Sequence, residues 1–376
     1  MSDHQWSADV LVIGLGAAGS AALSFLARAG VKVVGIDRYA PPHAMGSSHG
    51  DTRMLRTAYS EGAAYVPMVK RSIDLWRDLE ARTGQSLFHQ TGVVYCGPGT
   101  SRFLAGARAS AQQESVQLVD IEMLDPALAV PAGWQSVLDV AGGYLDAEAS
   151  VAAFLQDAIS HGAAIVDDCA CRSIDVREGR VAVATTIGIF NAGRVIVAAG
   201  AWASELMPWL RTVTHIERRV QHWFKDDRGR YGTDQGFRPF LVTTEDDAGF
   251  YGFPANRNGE VKVAEHFLVD RIASPDKLHR SATAADLALI RPLVSRFLPE
   301  LGEHVRSSVC MYPMSRDEHF ILARDFRPQF VIGAGLSGHG FKFAPVIGEA
   351  LANFALDRPQ EIDVDFFSLS RFEEFR

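Results

Sequence analysis

The sequence predicts an α/β protein of two modules: a doubly wound nucleotide-binding module, and a second module built on a large antiparallel sheet under helices. Three observations carry that reading. The chain opens on a strand, a glycine-rich turn, a helix and a second strand between Ala8 and Asp37. Short alternating apolar segments, the mark of strands with one buried face, crowd the stretches 164–199 and 217–266. A length of 376 residues is enough for two modules, each with a core of its own.

The opening unit justifies itself residue by residue. Val10 to Ile13 is an apolar run suited to a strand buried on both faces. Gly14, Gly16 and Gly19 follow in G-x-G-x-x-G spacing, and residues 17–29, rich in Ala and Leu, predict a helix closed by Gly30. Val31 to Ile36 reads as the second strand, ending in Asp37. Gly14 permits the tight turn, Gly16 lets the backbone approach a pyrophosphate, and Gly19 lets helix and strand pack closely. The helix N-terminus offers unpaired N–H groups and a positive dipole end to phosphates. Asp37 can accept hydrogen bonds from a ribose with a free 2′-OH and would repel a 2′-phosphate. This is a Rossmann-type dinucleotide site, and the motif leaves both FAD and NAD open.

After Pro41-Pro42 comes a compact polar loop, Gly46-Ser47-Ser48-His49-Gly50-Asp51, followed by Thr52 to Arg56. Val69, Ile73, Trp76 and Leu79 mark the apolar face of a helix that Gly84 ends. Strand-like pieces near Leu87–Phe88 and Gly92–Cys96 precede a predicted helix around Phe103–Gln113. After a predicted turn at Gly142-Gly143, another helix is expected over roughly Ala149–Ser160. Then Ile165–Val166, Ile174–Val176, Val181–Thr185 and Arg194–Ala199 read as strands, with a hairpin turn at Glu178-Gly179 and a helix near Trp202–Leu210. The alternating segments Glu217–Phe224, Pro239–Thr244, Phe250–Phe253 and Val261–His266 predict the antiparallel sheet, interrupted by a helix at about Ala284–Phe297. Val305–Tyr312 and Phe330–Ile332 read as strands, and Pro345–Leu356 as a helix after the glycine-rich loop Gly335–Lys342. The nucleotide-binding module is therefore expected to be discontinuous, residues 1–86 with 147–212 and 313–376. Residues 87–146 with 213–312 would form the second.

Composition narrows the function classes. A net charge of −8 argues against nucleic acid or an anionic membrane as the main partner, because phosphate binding needs an excess of Lys and Arg. The N-terminus has no basic segment followed by an apolar one, and no apolar run approaches the ~20 residues of a membrane span. Cys96, Cys169, Cys171 and Cys310 do not make a disulfide framework in a chain this long. A cytoplasmic protein is expected. Cys169 and Cys171 are too close for an unstrained disulfide, and no metal-ligand spacing is present.

Several residues read blandly when taken alone. Cys310, in Val309-Cys310-Met311-Tyr312, reads as a small buried hydrophobe. Lys262 alternates with Val261 and Val263, which reads as a solvent-facing lysine on a half-buried strand. Arg56 and Lys342 read as surface charges, although Lys342 between Phe341 and Phe343 is an odd setting for a solvated lysine. Glu318-His319 reads as solvated surface.

The motifs together change that reading. Gly46-Ser47-Ser48-His49-Gly50-Asp51-Thr52-Arg53 with Arg56, Phe250-Tyr251-Gly252-Phe253-Pro254, Cys310-Met311-Tyr312 and Gly335-Leu336-Ser337-Gly338-His339-Gly340-Phe341-Lys342-Phe343 occur in this order along the chain. In sequence and order they resemble the monomeric sarcosine oxidase and N-methyltryptophan oxidase family of flavin amine oxidases. The closing Phe367-Ser368-Leu369-Ser370-Arg371-Phe372 is similar to the N-methyltryptophan oxidase branch. The chain departs from the family pattern at Ser48-His49, where two histidines are usual, and at Ala323, where an Asp is usual.

The resemblance implies FAD rather than NAD, attached through its 8α-methyl group to the cysteine matching Cys310. It implies Gly14, Gly16, Gly19, Asp37, Arg38, Ser48, His49, Arg53, Cys171, Gly200, Gly338, Gly340 and Lys342 as cofactor contacts. Lys262 would stand over the flavin and stabilise superoxide as it forms from O₂. Arg56 and Lys342 would hold a substrate carboxylate, the Arg with two parallel hydrogen bonds. Tyr251 and His266 would line the substrate cavity, with His49 and Arg53 touching or tuning the flavin. The reaction implied is oxidation of a secondary amino acid to an imine that water hydrolyses, with O₂ reduced to H₂O₂, by a monomer. The rival expectations are an NAD-dependent dehydrogenase, a flavin dehydrogenase passing electrons to a protein, and a non-catalytic dinucleotide-binding module.

Overall fold

The computed structural model describes residues 5–121, 127–177, 179–246, 248–266, 269–324 and 328–375. Its first sheet has eight strands, in the order Cys171–Arg177, Arg180–Thr185, Ile189–Val197, Gln5–Ile13, Val33–Ile36, Ala164–Val166, with Phe330–Ala334 on Ile189–Val197 and Ile321–Arg324 on Phe330–Ala334. Gln5–Ile13 runs parallel to both neighbours, as a strand buried on two faces must in a βαβ unit. Ile189–Val197 is long enough to serve three partners. Its first residues pair with Arg180–Thr185 and its last three with Phe330–Ala334.

Helices Ala17–Arg28 and Ala344–Ala355 cover one face. They meet closely because position 348 is glycine: a Cβ there would stand 2.5 Å from the Ala21 Cβ. Gly19 does the same for the turn, where a Cβ would stand 1.8 Å from the Gly14 carbonyl oxygen.

The second sheet has nine strands. Arg271–Ile272, Thr214–Lys225, Glu260–Glu265, Gly249–Gly252, Phe240–Thr243, Val93–Gly97, Gln135–Asp139 and Leu118–Asp120 follow one another, and His304–Ser315 also pairs with Thr214–Lys225. Helix Ala284–Phe297 packs Ile290, Val294 and Phe297 against Val261 and Val263 on one face. A small third sheet joins Thr52–Leu55, Gly143–Asp146 and Phe88–His89.

The fold class is the expected one, with local differences. Phe240–Thr243 pairs in parallel with Val93–Gly97, so the large sheet is not wholly antiparallel. The helix expected over Trp202–Leu210 is broken: Ala203–Leu206 is α-helical and Pro208–Thr212 is a 3₁₀ turn, because Pro208 has no N–H to continue the ladder. Gly143 opens a strand, where a turn was expected; a Cβ would stand 2.0 Å from the His89 carbonyl oxygen. The first strand begins at Gln5 rather than Val10, extended by Trp6 stacking on Phe190. The hairpin expected at Glu178-Gly179 joins Cys171–Arg177 to Arg180–Thr185; Gly179 has φ 73°, and Glu178 lies outside the described residues.

One buried carboxylate ties the small sheet to the large one. Asp139 accepts hydrogen bonds from the Thr57 N–H at 2.6 Å, the Ala58 N–H at 3.2 Å, the Tyr95 hydroxyl at 2.7 Å and the Thr57 hydroxyl. It thereby pins the segment that follows Arg56. Asp139→Ala leaves those donors buried and unsatisfied, and is expected to lower stability by about 3–5 kcal/mol in denaturant titration. A loss below about 1 kcal/mol would show that the segment is held by other means.

Candidate active site

A turn and a sheet face build the site. In the turn, Gly50 has φ 96° and Asp51 φ 65°, a left-handed pair that aims the Gly50 and Thr52 carbonyls at one point. Lys262 Nζ lies at that point and donates to both, at 2.6 and 2.7 Å. Arg53 turns back over the same loop and donates to the carbonyls of Ser47, His49 and Thr52 at 2.7, 2.5 and 2.8 Å.

In the sheet, alternate residues share a face. The register sets Trp223 opposite Lys262, and Arg219 opposite Cys310. Lys262 therefore shares the inner face with Trp223, Gln221, Arg219, Cys310 and Tyr312, while Val261 and Val263 go under the helix. Gln221 Nε2 is 3.5 Å from Cys310 Sγ. Arg219 donates to Glu217 at 2.5 Å, and its guanidinium lies 4.7 Å over the Tyr312 ring.

A long cleft of about 370 Å³ runs along the carboxyl ends of the parallel strands. Gly14, Gly16, Asp37, Arg38, Ser48, Arg53, Cys171, Gly200, Gly338 and Gly340 all line it. Gly19 does not; it packs the helix onto the turn. Asp37 accepts the Leu15 N–H at 2.7 Å and the Tyr39 N–H at 3.0 Å, and Ser48 Oγ accepts the Ala17 N–H at 3.1 Å. The Arg38 guanidinium donates to Asp276 at 2.9 Å across the mouth.

Arg53, Tyr312, Gly338 and Phe341 also line a smaller chamber, which Arg56, Lys262, Lys342, Tyr251 and His266 complete. The sequence-predicted substrate residues thus come together. Cys310 and His49 do not reach either lining; both are buried just behind it.

Three bland readings are overturned. Lys262, Arg56 and Lys342 are at most 4% exposed, so none is a surface charge. His319 is half-buried with its Nδ1 3.0 Å from the Tyr65 hydroxyl, whereas Glu318 is exposed as expected. The site also holds residues that sequence reasoning passed over. Glu61 receives a hydrogen bond from Arg56 at 2.6 Å, and Tyr59 accepts from Lys342 at 2.9 Å. The polar alternation Glu217, Arg219, Gln221 was a usable signal for the sheet face. Tyr59 and Glu61 carried none, since they sit in an irregular loop.

Burial sets the electrostatics. Desolvation, then Arg53, pushes Lys262 well below the usual lysine range; desolvation, then Arg56, does the same to Lys342. His49, His266 and His339 are each lowered to about 3, chiefly by burial, with nearby cations adding to it, and are neutral at physiological pH. Burial pushes the Cys310 thiol up against the opposing pull of Arg53, Lys262 and Arg219. Burial is the largest influence on Glu61 and opposes its ionisation, but Arg56, His339 and the Ser60 hydroxyl together outweigh it and hold the carboxyl below its usual range.

The family model for FAD dependent oxidoreductases (DAO) matches residues 9–354. The chain belongs to that family. N-methyl-L-tryptophan oxidase from Yersinia pestis (strain Pestoides F) is 39% identical over 375 residues, covering 97% of this chain and 99% of the relative. Two solved structures share the fold. NikD, an unusual amino acid oxidase essential for nikkomycin biosynthesis, is 22% identical with TM-score 0.85 over 96% of this chain and 97% of its own. L-proline dehydrogenase from P. horikoshii is 20% identical with TM-score 0.85 over 99% of each chain.

The residues of this FAD-dependent oxidoreductase fit the cofactor. The cleft floor is cut close to the backbone: Gly14 has φ 90°, and a Cβ there would stand 2.6 Å from the Ala198 carbonyl oxygen. Among the described residues, buried side-chain atoms without a partner include His49 Nε2, Thr52 Oγ1, Arg56 Nη1, Arg219 Nε and Gln221 Oε1. Of these, Thr52 and Arg56 line the smaller chamber, where polar atoms of a bound group would satisfy them. The expectation of FAD in place of NAD is met.

Proposed function

We propose that this flavoenzyme oxidises the C–N bond of a secondary amino acid, an N-methyl amino acid or a cyclic imino acid, with O₂ as acceptor and H₂O₂ as product. FAD-dependent amine oxidation is the activity; the secondary amine, the acceptor, the working state as a cytoplasmic monomer and the roles below are the finer reading. The observation that carries it is the chamber, which Arg56 and Lys342 both line beside Tyr251, Phe253, Tyr312 and Phe341, with Arg56 Nη1 buried and unpartnered. The kinship to N-methyl-L-tryptophan oxidase supports it.

FAD, when bound, takes a hydride equivalent from the carbon beside the nitrogen and delivers two electrons to O₂. Gly14, Gly16 and Asp37 hold its dinucleotide end, with Arg38, Ser48, Cys171 and Gly200 along the cleft. Arg53, Gly338 and Gly340 would meet the ring end with His49 behind them, and Cys310, also just behind the lining, would be the point of covalent attachment. Residues 1–86, 147–212 and 313–376 form the module that holds most of the cofactor and supplies Arg56 and Lys342, and 87–146 with 213–312 form the module that supplies Tyr251, Lys262, His266 and Cys310.

Arg56 and Lys342 clamp the carboxylate, which fixes the position of the neighbouring carbon. Tyr251 and His266 close the cavity around the amine substituents. The surrounding cations disfavour an ammonium ion in the chamber, so the amine enters the reaction neutral, with its lone pair free. His266 and His339, both neutral, add no competing charge. Lys262 supplies positive charge where O₂ becomes an anion. A peroxide-coupled screen over a panel of secondary amino acids tests the assignment. Turnover of primary amines alone, or electron transfer without peroxide, would overturn it.

Three variants test the roles. After acid precipitation the yellow colour of the native protein is expected in the pellet, and that of Cys310→Ala in the supernatant; colour released from the native protein would exclude attachment. Lys262→Met is expected to slow the oxygen half-reaction ~100- to 1000-fold and the anaerobic half-reaction with amine far less. Equal losses in both would indicate a structural role instead. Arg56→Ala should weaken acetate as a competitor, and a substrate amide should bind at least ~10-fold worse than the acid, because a charge-assisted hydrogen bond contributes about 1.5–3 kcal/mol. An amide that performs as well as the acid would remove the clamp.

A further inference from the structure

Tyr59 is fully buried, and both candidate anion-binding cations rest on it. The Arg56 guanidinium lies 4.8 Å from the centre of its ring, and Lys342 Nζ is 2.9 Å from its hydroxyl. Behind the hydroxyl stands His339, with Nδ1 at 2.9 Å and Nε2 3.1 Å from the Glu318 carbonyl oxygen. A carbonyl only accepts, so Nε2 carries the imidazole proton and Nδ1 accepts from the Tyr59 hydroxyl. The Tyr59 oxygen is thereby turned to accept from Lys342. The chain of hydrogen bonds runs one way only, from the ammonium to the Glu318 carbonyl.

An ammonium has three N–H groups. Lys342 spends one on Tyr59 and one on its neighbouring backbone, the His339 carbonyl at 2.8 Å. The third has no hydrogen-bond partner among the described residues, and Lys342 lines the chamber. Arg56 spends Nη2 on Glu61 and leaves Nη1 buried without a partner.

We propose that Tyr59 is the positioning residue of the anion site, its ring setting Arg56 and its hydroxyl, oriented by His339, holding Lys342 so that each cation keeps one donor for the substrate carboxylate. This rests on the carboxylate clamp described above and assigns the residues that aim it. The clamp's pH response follows. Lys342 binds an anion as the ammonium, and its pKa is lowered by burial, so binding is complete below that pKa and lost as pH rises through it. An acceptor on Tyr59 favours the ammonium; without it the upper limit of binding moves to lower pH.

Several charged and titratable groups face Lys342. Arg56, Tyr59 and Glu61 face it from the segment before helix Tyr65–Thr83, and Arg53 from strand Thr52–Leu55. His339 shares its loop, and Lys262 and His266 stand across the chamber. Tyr65, stacked on Tyr59, is engaged with His319, and Glu349 on the helix behind is paired with Arg71. Tyr59 is raised well above its usual range by burial, and His339 lies at about 3. Lys262 is the other depressed lysine, and it makes no hydrogen bond to Tyr59.

The test titrates holoenzyme with acetate, read by the flavin absorbance, from pH 6 to pH 10. Tyr59→Phe keeps the ring under Arg56 and removes only the hydroxyl. Acetate binding is expected to weaken about tenfold, with the upper pH limit moving down by about one unit. His339→Leu should do the same. His339→Gln should restore most of the affinity, because its amide can accept from Tyr59 and donate to Glu318. Unchanged affinity in Tyr59→Phe, or weaker binding with an unmoved pH limit, overturns the assignment. If Lys342→Met also leaves acetate binding intact, the clamp itself is wrong and this inference falls with it. If Lys342→Met abolishes binding while Tyr59→Phe does not, only the role of Tyr59 falls.

Discussion

Burial of positive charge around one chamber is the constraint on which the rest of the site depends. Arg56, Lys262 and Lys342 are all out of solvent, and Glu61 is the carboxylate that pairs with Arg56. Unsolvated cations are costly unless dipoles replace the lost water. The fold supplies those dipoles mostly as backbone carbonyls: Gly50 and Thr52 for Lys262, His339 for Lys342, and Ser47, His49 and Thr52 for Arg53. Carbonyls can be aimed this way only where the chain leaves regular structure. The left-handed turn at Gly50-Asp51 and the glycine-rich loop before Lys342 are therefore part of the electrostatics, not mere connections.

Burial in the same region, with the nearby cations adding to it, explains the state of the histidines. His49, His266 and His339 are each buried near cations, and each is kept neutral. The chamber consequently holds fixed positive charge and aromatic surface, with no histidine poised near neutral pH to move a proton. Such an interior suits the bound carboxylate, the neutral amine and the developing negative charge of the proposed reaction. It suits an enzyme whose bond-breaking chemistry resides in its cofactor.

Rigidity around the chamber comes from outside it. Asp139 fixes the segment after Arg56, and Ser72 and Trp76 both donate to the Lys342 carbonyl, at 2.5 and 2.9 Å. The cations are thus placed by elements belonging to three different parts of the chain. Register does the rest: one residue of slip between Thr214–Lys225 and His304–Ser315 would turn Cys310 and Tyr312 to the opposite face.

The sequence by itself determined the opening strand–turn–helix–strand unit, the strand-rich character of the remainder and a dinucleotide as the class of cofactor, because those signals are local. Glycine spacing, an acid at a strand end and apolar periodicity act over a few residues and survive in the fold. It also marked Lys342 as misplaced for a surface residue, through its two aromatic neighbours. Only the tertiary structure decided which way Lys262 points, because alternation distinguishes two faces without saying which is buried against what. Only the tertiary structure brought Glu61 to Arg56 and placed Tyr59 between two cations 286 residues apart in sequence (342 − 56 = 286). Those contacts lie in irregular loops, where no periodicity operates and position follows from long-range hydrogen bonds such as those of Asp139.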